Sequence, residues 1–153
     1  MEYYAVEINP LPLDMDFSSF YEALYQITIP TDEDGEMFVV STKEEQEELA
    51  DYFNEMDLLV AKHTLVKVEN AEVEPIFYDY GFKAREYYLY KDIVTSFHIV
   101  EGEPIQIEMA LLQIQEDLLA FSNKEDVKEY YINKELQPLI QGYADAYKIV
   151  VHF

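Results

Sequence analysis

Between Thr42 and Asp57 the chain reads TKEEQEELADYFNEMD. It holds seven carboxylates, Glu44, Glu45, Glu47, Glu48, Asp51, Glu55 and Asp57, and one cation, Lys43. Carboxylates in this density can hold cations, steer a basic protein or exchange protons with a substrate. Their spacing narrows the choice. On a helix, Glu44 is followed four residues on by Glu48, Glu47 by Asp51, and Asp51 by Glu55. Each like-charge pair costs about 0.2–0.5 kcal/mol, whereas a lysine at the second position would be stabilising. The chain therefore keeps a face that repels itself.

A second acidic run, Asp32-Glu33-Asp34-Gly35-Glu36, invites comparison with a calcium loop. The EF-hand pattern needs glycine sixth and glutamate twelfth. Here glycine is fourth and position twelve is Lys43, so the run reads as a solvated turn and no metal site is expected. His63, His98 and His152 are far apart in sequence, with no zinc-type spacing. His63 is expected at a helix C-terminus, where a cation is favoured, and the other two in apolar strands. Cysteine is absent, which removes disulfides and thiolate chemistry. No nucleophile elbow, phosphate-binding glycine loop or dinucleotide fingerprint is present. The expectation is a protein that is not an enzyme and carries no cofactor.

The charge points outward instead. The formal net charge is −22, against a magnitude of about 2–8 for an ordinary small domain. Residues 1–60 carry 16 acidic residues against Lys43 alone, or −15, and residues 61–153 carry −7. Half of the residues are hydrophobic and 15% are aromatic, so this is a folded chain and not an acidic tail. Nine lysines to one arginine and 14 tyrosines argue against adaptation to high salt. Direct binding of nucleic acid or an anionic membrane is disfavoured, and a basic partner is favoured. With no leader-like N-terminus and no apolar run long enough to span a bilayer, the expected location is the cytoplasm.

These carboxylates need elements to position them. EYYAVEI (2–8), MFVVS (37–41), LVKVE (65–69), VEPIFYDY (73–80), EYYLY (86–90), IVTSFHIV (93–100) and YKIVVHF (147–153) read as strands. The last of these is expected to pair with the N-terminal strand. Residues 16–27 have helical spacing at Phe17, Phe20, Tyr21, Leu24 and Ile27. Thr42 begins a helix, with Glu45 completing a capping box. Leu49, Tyr52, Phe53, Met56 and Val60 form its buried stripe, and Glu44, Glu48, Asp51 and Glu55 its outer face. A third helix is expected over 105–121, with a strand as the alternative where IQIEM (105–109) alternates, and a fourth helix from Asn123 to Asn133, with Pro138 and Gly142 interrupting the stretch beyond it. The pairs Tyr3-Tyr4, Tyr87-Tyr88 and Tyr130-Tyr131 cannot place both rings on one face of a strand, so some should reach the surface. The expected fold is one α+β domain over 1–153, with a mainly antiparallel sheet and three to four helices.

From Glu44 to Glu55 a helix rises about 16 Å, with neighbouring carboxylates about 5–6 Å apart. Phosphates succeed one another along a nucleic-acid strand at comparable spacing. In size, charge and helical carboxylate rows the chain resembles the DNA-mimic inhibitors of phages and mobile elements, which include anti-restriction proteins, anti-CRISPR proteins and uracil-DNA glycosylase inhibitors. The resemblance is of general character and carries no motif, so it assigns no residue. It implies an inhibitor, monomeric or homodimeric, that occupies the DNA- or RNA-binding site of a basic partner, acting in a host cytoplasm if phage-encoded. Charge and spacing nominate Glu44, Glu47, Glu48, Asp51, Glu55, Asp32, Glu33, Asp34 and Glu36 as partner-binding residues. Two other functions compete. One is an acidic immunity protein that neutralises a basic toxin without mimicry. The other is a small carboxylate-based hydrolase.

Overall fold

The alternating segment EYYAVEI forms strand β1 (Glu2–Ile8), with Ala5, Val6 and Ile8 buried. The computed structural model describes residues 2–124 and 126–153. After β1 come α1 (Phe17–Ile27), β2 (Asp32–Glu33), β3 (Met37–Val40), α2 (Lys43–Glu55), β4 (Leu59–Val68), β5 (Ala71–Val73), β6 (Gly81–Lys83), β7 (Tyr87–Tyr90) and β8 (Val94–Glu101). The chain continues with α3 (Pro104–Ile114), β9 (Leu118–Lys124), β10 (Val127–Asn133), α4 (Gln137–Ala146) and β11 (Val150–His152). The class is α+β, with four α-helices among the described residues and antiparallel pairing in two sheets, ordered β2-β3-β1-β4-β7-β6 and β11-β8-β10-β9-β5. By internal packing the chain divides into two compact units, Met1–Lys67 with Lys83–Tyr88, and Val68–Phe82 with Leu89–Phe153.

In the first unit β1 lies between β3 and β4, with Val6 opposite Phe38 and Ala5 opposite His63. Asp16 caps α1 by accepting the Ser19 N–H at 3.3 Å. Phe20 and Leu24 of α1 meet Leu49 and Phe53 of α2 over Val6, Phe38 and Val40. The Phe38 and Phe53 rings are 5.2 Å apart. Aromatic side chains of this size dominate the energetics of so small a core.

In the second unit Phe97, Ile114, Leu118, Tyr130, Ile132 and Ile140 form one cluster, and the Phe97 and Tyr130 rings stack at 5.3 Å. Several expectations fail here for identifiable reasons. Residues 105–121 do not form one helix. Pro104 starts α3, since a first-turn proline sacrifices no hydrogen bond, but the helix stops at Ile114 and Leu118 opens β9. The helix expected from Asn123 to Asn133 is instead the end of β9 followed by β10, paired antiparallel with Tyr130 opposite Phe121; residue 125 of that span lies outside the described residues. Val127, Tyr130, Tyr131 and Ile132 are β-branched or aromatic and favour a strand. Both Tyr130 and Tyr131 are buried, so this pair does not reach the surface.

Pro75 turns the expected strand 73–80 into a short 3-10 helix, Pro75–Asp79. Pro138 sits in the first turn of α4, and the helix runs through Gly142. The C-terminal strand pairs with β8, placing His152 opposite His98, and not with β1, whose two edges are already taken by β3 and β4. Asp57, at φ 57°, ends α2, so Val60 lies on β4, about half exposed. His63 also lies on β4 and not at a helix end. Its Nε2 is 2.9 Å from Glu7 Oε1.

Candidate partner-binding surface

The α2 helix is fixed from three directions. At its start the Thr42 hydroxyl accepts the Glu45 N–H at 3.2 Å and donates to Glu45 Oε1 at 2.8 Å. Glu45 Oε2 in turn accepts from the Thr28 hydroxyl at 2.8 Å, tying the end of α1 to the start of α2. The hydroxyls of Thr28 and Thr42 hold the Glu45 carboxyl below its ordinary value. Underneath, Gln46 is buried and its Nε2 donates to the carbonyls of Ala5 at 2.9 Å and His63 at 3.0 Å. One side-chain amide thus pins the helix to two neighbouring strands. Leu49, Ala50 and Phe53 complete the inner face.

The outer face then falls where the helical period puts it. Glu44, Glu47, Glu48, Asp51 and Glu55 are all exposed. Glu47 pairs with Lys62 of β4 at 2.8 Å; such a half-exposed pair adds about 0–1 kcal/mol. Among the described residues Glu44, Glu48, Asp51 and Glu55 show no ion pair or hydrogen bond from a side chain. They form a single row along α2, open to solvent.

The 32–36 run is different, and it is not a simple loop. Asp32 and Glu33 form β2, paired with Val39 and Phe38 of β3. Asp32 is only 2% exposed. Its Oδ2 accepts the Glu86 N–H at 3.0 Å and the Tyr88 hydroxyl at 3.0 Å, and both its oxygens share the Arg85 N–H at 3.1 Å. Oδ1 also accepts the Glu33 N–H at 2.9 Å and Arg85 Nε at 3.3 Å. Burial raises the Asp32 carboxyl, but these backbone and hydroxyl donors outweigh it and leave the pKa below its ordinary value. Burial, with Asp32 alongside, pushes the Tyr88 hydroxyl well above the usual phenol range, so it remains a donor. Asp32 is therefore a structural anchor and cannot belong to an exposed binding face. That corrects its nomination.

Asp34 accepts the N–H groups of Glu36 at 3.0 Å and Met37 at 2.8 Å, shaping the turn into β3. Gly35 sits at φ 97°, a backbone region that suits glycine. Glu33 is half-buried, and burial raises its carboxyl, although a hydrogen bond with Tyr25 opposes the rise. Glu36 is exposed. Of this run, then, Asp34 and Glu36 are exposed, and Glu33 is half-buried.

Nothing in the sequence signals the Asp32 cradle, because apart from the Glu33 N–H its donors lie 53 to 56 residues away. Nor does it reveal Gln46, a polar residue on an inner face. Among the described residues no three His, Asp or Glu side chains come together to hold a metal ion, and no helix is long and apolar enough to cross a membrane. No protein-family model, characterised protein or solved structure matches the chain.

Proposed function

We propose that this protein is an acidic inhibitor that occupies the basic nucleic-acid-binding site of a DNA- or RNA-handling protein. The unpaired row Glu44, Glu48, Asp51 and Glu55 carries this reading. Four anchored features, the Thr42 cap, the Glu45 bridge, the Gln46 clamp and the Phe53 core contact, hold the row rigid. A row of negative charge on a fixed backbone needs no ordering of that backbone when it meets fixed cations, and it accelerates encounter with them. The row is single, so the phosphates it copies are those of one strand.

A second reading draws support from the 32–36 run. With Asp32 buried and Asp34 engaged in its turn, that run does not supply a second free row. Neutralisation of a basic toxin without duplex mimicry needs only one. The test is displacement. Proteins from a bacterial lysate are loaded on DNA-cellulose and eluted with this protein. Release of a discrete nucleic-acid-binding protein, whose capture by immobilised copies of this protein is blocked by excess single-stranded oligonucleotide, supports mimicry. If the protein releases nothing at physiological salt, the inhibitor reading fails.

The isolated protein is itself expected to ignore nucleic acid. With −22 overall, it has no means of releasing counterions from phosphates. In gel shifts with short duplex DNA and RNA at low salt, free probe should remain. Micromolar binding would remove the proposal.

A further inference from the structure

Beside the 34–36 turn the first unit carries an open cleft of about 390 Å³, lined by Pro10, Leu11, Phe17, Tyr21, Asp34, Gly35 and Glu36. One side is apolar. Phe17 opens α1 yet remains 48% exposed, and Leu13, in the same connection between β1 and α1, is entirely exposed. The other side is the acidic turn. Its backbone is tied to the end of β1 by the Ile8 N–H, which donates to the Glu36 carbonyl at 2.8 Å. Among the described residues neither Asp34 nor Glu36 is paired with a cation.

We propose that this cleft receives one apolar side chain from a lysine- or arginine-rich segment of the partner, with the flanking cations meeting Asp34 and Glu36. The inference rests on the acidic-inhibitor reading and adds the anchor which that reading lacks. Exposed charge rows mainly set association rate and salt dependence. Residence time comes from a few apolar side chains buried in a pocket and ringed by polar contacts. An apolar floor beside carboxylates that meet no cation supplies both halves of such a contact. Charge decides the occupant. A second copy would bring another −22 to a rim that is already negative, and an anionic membrane or nucleic acid would be repelled in the same way. A basic segment is the complement that remains.

Two capped pentapeptides serve as probes, Lys-Lys-Leu-Lys-Lys and Lys-Lys-Ser-Lys-Lys, each fluorescently labelled and titrated with the protein at low salt. The leucine peptide should bind at least about tenfold more tightly, since burying one such side chain is enough for that ratio. Phe17→Ala should erase the difference between the peptides. Phe17 is half exposed, so the variant should fold, and a thermal melt checks it. Glu36→Gln, at an exposed position, should weaken both peptides while keeping their ratio. Equal affinity of the two peptides, or no binding of either, overturns the cleft assignment. So does a concentration-dependent dimer that Phe17→Ala abolishes, which would give the cleft to a second copy. Replacing the four α2 carboxylates by glutamine separates the two proposals. A leucine preference that survives this change leaves the cleft in place whatever becomes of the α2 row. A preference absent from the start, with weak binding that the change abolishes, removes the cleft and leaves the row.

Discussion

Asp32→Asn is expected to destabilise the protein by about 3 kcal/mol, because one carboxylate oxygen that only accepts becomes an amide that donates. The aspartate has two oxygens and several donors around it: backbone N–H groups of Glu33, Arg85 and Glu86, the Arg85 guanidinium and the Tyr88 hydroxyl. Asparagine keeps the shape but sets its new donor against these others. Hydrogen bonds to a charged group contribute about 1.5–3 kcal/mol each, and an orphaned buried donor costs about 1–3 kcal/mol. Tyr88→Phe, which removes one donor only, should cost about 1 kcal/mol. The pH dependence comes from the lowered Asp32 pKa. A carboxyl depressed in the folded state adds stability above its unfolded value of about 3.9, and that stability is lost as pH falls through the lower folded value. Glu33, raised by burial, acts in the opposite sense: it favours the folded state at pH below its unfolded value and loses that contribution as pH rises through the folded one. Urea melts from pH 7 to pH 3 should therefore show the wild type losing its advantage over Asp32→Asn at the acid end. A variant as stable as wild type at pH 7 would mean that the buried carboxylate is not the anchor of β2.

The contrast between Asp32 and the α2 row also marks what a sequence can disclose. Local signals suffice for β1, α1, β3 and α2. Alternation, helical spacing and the Thr42 cap are written within a dozen residues, and the outer carboxylates of α2 are exposed where that period places them. The hairpin of β9 and β10 is harder to see, because Asn123 resembles a helix cap. The strand preference of Val127 to Ile132 is expressed only against partners. The pairing of β11 with β8 depends on which strand edges remain open, a property of the assembled sheet and not of YKIVVHF. Asp32 lies in an acidic run that looks solvated. What buries it is a backbone segment some 53 residues downstream, and no local pattern encodes that.

Replacing Glu44, Glu48, Asp51 and Glu55 together by glutamine has the opposite profile to Asp32→Asn. Glutamine keeps nearly the same shape and a good helix propensity. The four positions are exposed and meet no cation among the described residues, so nothing is orphaned. Relief of the like-charge pairs should leave stability unchanged or raise it by up to about 1 kcal/mol, at about 0.2–0.5 kcal/mol per pair. Affinity for the partner should fall at least about tenfold, equivalent to about 1.4 kcal/mol. Loss of steering should also slow association and flatten its salt dependence. Glu45→Gln is the matched control: it removes a charge from the same helix at a position occupied by the Thr28 and Thr42 hydroxyls. It should reduce stability modestly and leave binding nearly unchanged.

Whether the self-repelling face of α2 is kept for binding can be read from one paired experiment. The melting temperature and the displacement of DNA-cellulose-bound protein are measured for wild type and the quadruple glutamine variant in parallel, on the same preparations. The expected result is a variant that melts at the same or a higher temperature and needs at least about tenfold more protein for equal displacement. A variant that displaces as well as wild type would overturn the binding role and leave the α2 carboxylates as a merely solvated face.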